Sequence, residues 1–212
     1  MAIRCTIHDH KITHAISSPI EHHAVTHTLE DLEKEGIIKL SWVKLNDKGE
    51  VDYDHLEELL KSNPRSFVSL MHANNELGTV NDIDRIGALC KQYNAIFHCD
   101  TVQTMGHFLY DMSQKNIDSF TCAAHKFHGP KGVGFIYINH KLKIHPLITG
   151  GAQERNMRGG TENAYGIIGM AKALELAYAE LDEDRKHILG LKEYMKQQLL
   201  DEIPGVRFNG DV

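Results

Sequence analysis

Short apolar runs alternate with amphipathic segments along most of this chain. The runs are bounded by Gly, Pro, Asn or Asp, which is typical of buried strands. The segments between them place apolar residues on one helical face, as Ile83, Ile86 and Leu89 show. This alternation predicts an α/β fold, a mostly parallel sheet flanked by helices.

The same pattern predicts where the strands, helices and turns lie along the chain. Predicted strands cover residues 12–17, 37–45, 67–72, 95–99, 117–121 and 134–138. Predicted helices cover residues 20–35, 54–62 and 82–93, and a long helical region runs from 163 to 200. Residues 47–49 are predicted to form a turn, and the histidines at 8, 10 and 14 an exposed polar segment.

The composition excludes several classes of partner. The 212 residues are 42% hydrophobic and 25% charged, with a net charge of −6 and a pI near 6.2. No basic stripe is available for nucleic acid, and no apolar stretch has the length of a membrane span. The N-terminus lacks the apolar core of a signal peptide, so a cytoplasmic protein is expected. The four cysteines have no C-x-x-C spacing, and no disulfide framework is predicted.

Polar residues follow three predicted strands. Asn75 follows the strand from 67, Asp100 and Gln103 follow the strand from 95, and His125 and Lys126 follow the apolar run 117–124. Ligands of open parallel sheets bind beyond the carboxyl ends of the strands. These side chains are therefore expected to surround one crevice.

A lysine at the end of an apolar strand has a specific chemical use. Desolvation lowers its pKa, and the resulting amine bonds covalently to a carbonyl compound, most often pyridoxal phosphate. A carboxylate such as Asp100 keeps the pyridine nitrogen of that cofactor protonated. Gln103, Asn75 and His22 can contact the ring oxygen or the ring face. The alternative interpretation of Lys126 is a solvated loop lysine.

Five ordered motifs carry a family resemblance. They are residues 18–25 (Ser-Pro-Ile-Glu-His-His-Ala-Val), 71–78 (Met-His-Ala-Asn-Asn-Glu-Leu-Gly), 98–103 (His-Cys-Asp-Thr-Val-Gln), 124–132 (Ala-His-Lys-Phe-His-Gly-Pro-Lys-Gly) and 150–161 (Gly-Gly-Ala-Gln-Glu-Arg-Asn-Met-Arg-Gly-Gly-Thr). They resemble the motifs of NifS-like cysteine desulfurases, which are class V aminotransferase-fold enzymes of pyridoxal-phosphate fold type I. The second and fifth motifs are similar to those of the iron–sulfur-assembly branch.

The resemblance implies a role for each predicted site residue. Lys126 would carry the cofactor and then move a proton, and His22 would stack on the ring and assist that transfer. Asp100 would hold the pyridine nitrogen and Gln103 the ring hydroxyl. Asn75 would lie between that hydroxyl and the substrate carboxylate.

The phosphate end differs from the family pattern. The resemblance implies that His125 contacts the cofactor phosphate and that Thr161 reaches the phosphate of a partner subunit across a homodimer. Ala123 stands where the family usually has a serine that donates to the phosphate. Nothing before residue 11 matches the N-terminal arm or the glycine-threonine phosphate loop of the family. A weaker hold on the phosphate is therefore expected.

The resemblance also implies a reaction and a division of the chain. L-cysteine would become L-alanine, and the sulfur would pass as an enzyme persulfide to an iron–sulfur scaffold or another acceptor protein. Residues 1–162 would form most of the cofactor-binding large domain, and residues 163–212 a linking helical region and the start of a small domain. The mobile nucleophilic cysteine and the substrate-clamping arginine would be missing. Two alternatives stay open, a non-catalytic remnant that keeps the fold and dimerises, and another pyridoxal-phosphate enzyme acting on a small amino acid.

A metal site is the other interpretation we considered. His23 and His27 have the spacing that places two imidazoles on one helix face, with Glu21 or His10 as further ligands. No third ligand stands at a diagnostic spacing, so the prediction is a solvated helix face without a metal.

Overall fold

The computed structural model describes residues 1–210, so the last two residues of the predicted second segment lie outside it. The strands are β1 (His14–Ser17), β2 (Lys39–Trp42), β3 (Phe67–Ser69), β4 (Ile96–Asp100), β5 (Ser119–Ala123) and β6 (Gly134–Ile138). The helices are α1 (Ala2–Asp9), α2 (His23–Lys34), α3 (Tyr53–Ser62), α4 (Ile83–Gln92), α5 (Gln153–Asn156), α6 (Ala164–Ala179) and α7 (Leu181–Glu202), with a 3₁₀ helix at Ala124–Phe127.

The six strands form one sheet in the order β2-β1-β3-β4-β5-β6. The first five strands in this order are parallel, and β6 pairs with β5 in the antiparallel direction. This topology confirms the predicted α/β fold with a mostly parallel sheet. The strand order reverses between β1 and β3, which is where open α/β sheets form a ligand crevice.

Alternate strand residues point to opposite faces of the sheet, and helices cover the central strands on both faces. Ile16, Val68 and Phe97 belong to a large core that also contains side chains of α3 and α4 and contacts α6. Ala15 and Phe67 belong to a second core with side chains of α1 and α2. The sheet is therefore a central layer, and its polar strand ends are left at the rim.

Short polar side chains start the helices that follow β2 and β3. Asp52 accepts hydrogen bonds from the backbone N–H groups of Asp54 and His55 at the start of α3. Asp82 does the same for Asp84 and Arg85 at the start of α4. These caps satisfy backbone donors that the helix itself leaves unpaired.

The N-terminal segment was predicted incorrectly. Residues 2–9 form α1, whose Ile3 and Ile7 are buried in the second core, and only its polar side faces solvent. His14 is half-buried in β1, and its Nε2 lies 3.0 Å from the hydroxyl of Ser41. The histidines made this segment look polar in the sequence, although one face of the helix is apolar and packs against the sheet.

Most element boundaries differ from the prediction by about one to three residues, and two of these differences lie beside the polar strand ends. The helix expected from residue 20 begins at His23, because the amide of Asn74 donates to the carbonyl of Ile20 at 2.6 Å and holds that residue in a turn. The strand expected to reach residue 72 ends at Ser69. Beyond that point Leu70 and His72 still donate to the β4 carbonyls of His98 and Asp100, at 3.3 and 3.0 Å, whereas the Met71 N–H donates to the side chain of Glu21.

The C-terminal region is helical, as predicted, but its two helices differ in burial. Met170, Leu174 and Tyr178 of α6 pack against the large core. No residue of α7 is buried, and all of that helix lies in the described part of the chain. Among residues 1–210, no helix combines the length and apolar character needed to cross a bilayer.

Candidate functional site

A cavity of about 400 Å³ lies beyond the carboxyl ends of β1, β3, β4 and β5. Six of the seven predicted site residues line it, namely His22, Asn75, Asp100, Gln103, His125 and Lys126. The rest of the lining is Ala24, Met71, Val102, Thr121 and Ala123. The volume is within the usual range for small-molecule sites. Four separate stretches of sequence thus converge on one crevice.

Asp100 provides the buried carboxyl group of this cavity. It is the last residue of β4 and is only 7% exposed. Its Oδ1 accepts a hydrogen bond from the backbone N–H of Val102 at 2.9 Å. Burial raises the pKa of Asp100, while that hydrogen bond and the nearby imidazole of His22 oppose the rise. A cationic group bound in the cavity would counteract this rise by stabilising the anion.

His22 enters the cavity from the N-terminus of α2. Its Nδ1 accepts a hydrogen bond from the backbone N–H of Ala24 at 3.1 Å and so caps the helix. With Nδ1 acting as the acceptor, the proton of the neutral ring is on Nε2. The cap therefore fixes both the tautomer and the position of an imidazole beside Asp100.

Lys126 lies in the 3₁₀ helix that follows β5, and its side chain is exposed. The sequence predicted a desolvated amine, which the structure of this chain does not have. Its backbone is nevertheless held firmly, because the next residue, Phe127, is fully buried. The Gly129 N–H closes the turn on the carbonyl of Ala124 at 2.8 Å. A fixed backbone thus carries a freely solvated amine at the cavity mouth.

Asn75 and Gln103 are less enclosed than Asp100. Asn75 is exposed, and its amide donates to Glu76 Oε1 at 2.9 Å. The preceding Asn74 is buried, and its Oδ1 accepts from the N–H groups of both Glu76 and Leu77 at 2.8 Å. Asn74 therefore shapes the loop that presents Asn75. Gln103 is half-buried, and no hydrogen bond joins its side chain to the described residues.

The two residues expected at the phosphate are placed differently. His125 is exposed on the wall of the cavity. Thr161 is not part of the lining and is exposed ahead of α6. Its predicted role needs a second subunit, so the single chain leaves that role a prediction.

The histidine pair at the start of α2 does not gather further ligands. The rings of His23 and His27 stack with centroids 4.6 Å apart. Glu21 instead points inward to Met71, and His10 bonds to the carbonyl of Lys143. Within residues 1–210, no group of three or more metal-binding side chains is assembled.

The chain matches a known protein family. The family model described as aminotransferase class-V matches residues 2–212. This chain belongs to the class V aminotransferase family. The match also covers the N-terminal residues for which the sequence analysis found no counterpart.

The class V chain resembles several named desulfurases. It is 43% identical to "Cysteine desulfurase IscS" of Dictyoglomus turgidum over 197 residues, which is 93% of this chain and 50% of the relative. A "Cysteine desulfurase IscS" of Methanosarcina thermophila is also 43% identical, with 93% of this chain and 48% of the relative covered. The chain thus spans about half the length of these curated relatives.

Solved structures give the same picture. A "NIFS-like protein" superposes with a TM-score of 0.89 at 37% identity, covering 94% of this chain and 55% of that one. DndA of Streptomyces lividans superposes with a TM-score of 0.85 at 26% identity, covering 97% and 58%. The fold is that of the pyridoxal-phosphate enzymes of fold type I.

Class V aminotransferases use pyridoxal phosphate, and the ring end of this cavity fits that cofactor. A buried carboxyl group, an imidazole and a primary amine are the groups needed by a pyridinium ring with an aldehyde. The end of the cavity expected to hold the phosphate has fewer hydrogen-bond donors, because Ala123 has no hydroxyl group. Among the predicted contacts of this chain, His125 alone remains there.

Sequence reasoning considered Glu21 only as a metal ligand and missed its bond to Met71, a residue that lines the cavity. Glu21 is 5% exposed, and its Oε1 accepts a hydrogen bond from the Met71 N–H at 2.5 Å. The available signal was an acidic residue next to His22 in a segment expected to be a helix. Glu21 precedes the observed helix start at His23 and is buried, whereas the helix predicted from residue 20 gave no reason to expect an inward-facing acid.

Proposed function

We propose that this chain is the cofactor-binding part of a pyridoxal-phosphate-dependent cysteine desulfurase. The reaction converts L-cysteine to L-alanine and transfers the sulfur atom to a thiol, from which it passes to an iron–sulfur scaffold or another acceptor protein. Support comes from the named desulfurase relatives and from the family motifs, which lie in the expected order along the chain.

One observation carries the proposal. Asp100 ends β4, Lys126 follows the neighbouring parallel strand β5, and both line the same cavity. An anion at one wall and an amine at the other match the two ends of a pyridine aldehyde, its ring nitrogen and its carbonyl. His22 contributes a flat ring to the same cavity from the opposite side of the strand-order reversal.

The bound cofactor supplies an electrophilic carbonyl and an electron sink for bonds at the amino-acid α carbon. The protein residues have to hold the cofactor, orient the substrate and transfer protons. Asp100 holds the proton of the ring nitrogen, while Gln103 and Asn75 orient the ring oxygen and the substrate carboxylate. Lys126 anchors the cofactor and then moves protons as a base and an acid. His22 keeps its Nε2–H on the cavity side because Ala24 occupies Nδ1.

The sulfur step requires an acceptor thiol. A thiolate attacks the sulfur of the substrate, the carbon–sulfur bond breaks, and a sulfur–sulfur bond forms. The β carbon takes up a proton and becomes the methyl group of alanine. The net change is that a thiol and L-cysteine give a persulfide and L-alanine.

The four cysteines of this sequence are poorly suited to be that acceptor. Cys5, Cys90, Cys99 and Cys122 are all buried and free. Burial raises the pKa of each thiol, that of Cys122 to about 11. A thiolate is the reactive form, so a buried thiol of high pKa is inert. We therefore propose that the acceptor thiol belongs to a residue outside these 212 or to another molecule.

Two further proposals follow from the desulfurase assignment. A homodimer would bring Thr161 of one subunit to the phosphate of the other, and the exposed position of Thr161 is compatible with that role. The cytoplasm is the proposed compartment, because four unpaired cysteines suit a reducing environment.

The test is to mix the purified chain with pyridoxal phosphate, reduce it with borohydride and map the labelled peptides by mass spectrometry. Label confined to the peptide of Lys126 is the expected result. Scattered label, or none, would contradict the proposal. A sulfide-release assay with L-cysteine and an added dithiol, in the same samples, then tests whether desulfuration follows cofactor binding.

Lys131 provides the matched control. It is an exposed lysine in the same turn and does not line the cavity. Lys126→Ala should abolish the specific label, whereas Lys131→Ala should retain it. Equal loss from both variants would mean that the label reports general lysine reactivity.

A further inference from the structure

Glu21 is an enclosed acid with one unpaired oxygen. Its Oε1 accepts the Met71 N–H at 2.5 Å, while its Oε2 is buried and has no hydrogen-bond partner. An ionised carboxylate normally accepts several hydrogen bonds, and a buried one without them is costly. The surroundings of Oε2 thus disfavour the charged form of this residue.

A second carboxyl group shares the same part of the interior. Asp100 repels a charge on Glu21, and Glu21 in turn acts on the neighbouring Cys99. The backbone joins the two acids closely, because Met71 donates to Glu21 while the next residue, His72, donates to the Asp100 carbonyl at 3.0 Å. Keeping two negative charges close together in a poorly solvated region costs free energy, so one of the two acids keeps its proton.

The contacts decide which acid stays charged. Asp100 has the Val102 N–H on Oδ1 and opens onto the cavity, where His22 and Lys126 are also exposed. The charged side chain that acts on Glu21 is that of Asp100, which is an acid and not a cation. Burial raises the pKa of Glu21 well above its ordinary value, with further elevation from Asp100.

We propose that Glu21 is a positioning residue that holds a proton on Oε2 and so leaves Asp100 as the anion of the pair, facing the cofactor ring. The neutral acid fixes the loop at Met71 without placing a second negative charge behind the ring. The role toward the ring rests on the proposed function, whereas the protonation of Glu21 is a property of the chain without cofactor.

Infrared difference spectroscopy of the cofactor-free chain tests the protonation directly. Subtracting the Glu21→Gln spectrum from that of the wild type at neutral pH should leave the carbonyl band of a protonated carboxylic acid. The corresponding Asp100→Asn difference should leave carboxylate bands. A carboxylate band in the Glu21 difference, or an acid band in the Asp100 difference, would overturn the proposal. If Glu21→Gln fails to fold, the wild type alone decides, since absence of any acid band at about pH 7 contradicts a protonated Glu21.

Cofactor binding tests the positioning role. Glu21→Gln keeps an uncharged group that accepts from Met71, so its affinity for pyridoxal phosphate should stay within about twofold of the wild type. Glu21→Ala removes the acceptor and should weaken binding by about tenfold. The pH dependence of the bound-cofactor absorbance should be the same in Glu21→Gln and the wild type. A Glu21→Gln variant as weak as Glu21→Ala, or with a shifted pH profile, would show that the charged form is needed.

The two proposals can fail separately. If the wild type binds no pyridoxal phosphate but shows the acid band of Glu21, the desulfurase assignment fails and the protonation stands. If the wild type binds the cofactor on Lys126 and Glu21 is ionised, the positioning proposal fails alone.

Discussion

Asp100 and Val102 are joined by a hydrogen bond in which the Val102 backbone N–H donates to Oδ1 at 2.9 Å. This bond turns the chain directly after β4 and fixes the carboxyl group at the cavity wall. The second oxygen, Oδ2, is left for a partner in the cavity. The residue is therefore held in place by its backbone neighbour and is chemically available on its other side.

Asp100→Asn should keep the turn and lose the charge. The amide oxygen can still accept from Val102, but no anion faces the ring nitrogen. Hydrogen bonds to charged groups contribute about 1.5–3 kcal/mol, so the affinity for pyridoxal phosphate should fall by about tenfold or more. Absorbance titration of the purified chain with the cofactor measures this change.

Asp118→Asn is the control for that variant. Asp118 is a half-buried acid that accepts a backbone N–H, from Phe97 at 2.8 Å, but it lies before β5 and does not line the cavity. Its substitution should leave cofactor affinity unchanged. Similar losses in the two variants would assign the effect to general destabilisation of the sheet.

His22 serves both as a helix cap and as a ring in the cavity, and two substitutions separate these roles. His22→Asn keeps a side chain that can accept from Ala24, so stability should change little, while loss of the stacking ring weakens cofactor binding by about twofold to tenfold. His22→Ala also loses the cap and should cost about 1 kcal/mol of unfolding free energy. Urea denaturation and cofactor titration read the two effects independently. His23→Asn, at the exposed adjacent position, should affect neither.

Two buried histidines make stability depend on pH. Burial lowers the pKa of His72 and of His98 to about 4, against 6.5 for an unfolded histidine. The unfolded chain therefore takes up protons first as the pH falls, and stability is lost between about pH 6.5 and pH 4. His98 alone should account for about 2 kcal/mol of the loss between pH 7 and pH 5.

The measurement is the unfolding free energy of the wild type and of His98→Gln at those two pH values. The acids Glu21, Asp100 and half-buried Asp118 have raised pKa values and act in the opposite direction, but they are common to both proteins. The difference in pH slope thus isolates His98. Equal slopes would contradict its assignment as a neutral buried histidine. His140→Gln, at an exposed position, should leave the slope unchanged.

Two glycines in helix interiors should respond oppositely to alanine. A Cβ at Gly87 of α4 would meet the carbonyl oxygen of Asn116 at 2.7 Å, whereas a Cβ at Gly190 of α7 would meet nothing within 4 Å. Gly87→Ala should destabilise the fold by about 1–3 kcal/mol through overpacking. Gly190→Ala should stabilise α7 by up to about 1 kcal/mol through helix propensity. Thermal unfolding compares the pair, and stabilisation by Gly87→Ala would mean that α4 and the Asn116 loop are not packed as described.

The alternating pattern was sufficient to predict the sheet because short apolar runs between amphipathic helices are typical of strands that helices cover on both faces. β6 was predicted at its observed bounds, since Gly134 allows the close approach to β5 that starts it. α1 was missed because its apolar face is too short to be distinguished among histidines. Its helical state depends on the second core, a tertiary contact that local pattern does not contain.

The sequence predicted which residues form the site better than it predicted how buried or solvated each of them is. Asp100, Gln103 and Lys126 come together because parallel strands end at one edge, a rule that needs only the order of the elements. The solvation of Lys126 depends on what covers the cavity mouth, and β5 alone does not determine that. The inward direction of Glu21 depends on the helix start at His23, which the Asn74 loop sets from a distant part of the sequence.

The thiols provide the last prediction. All four cysteines are buried, and burial raises their pKa values, so little thiolate is present near neutral pH. A disulfide reagent such as Ellman's should label the native chain slowly and the denatured chain rapidly at all four positions. L-cysteine added to the cofactor-loaded chain should leave no persulfide on these residues by mass spectrometry. Rapid labelling of a single thiol in the native chain, or a persulfide on Cys99 next to Asp100, would instead identify an internal sulfur acceptor and remove the need for an external one.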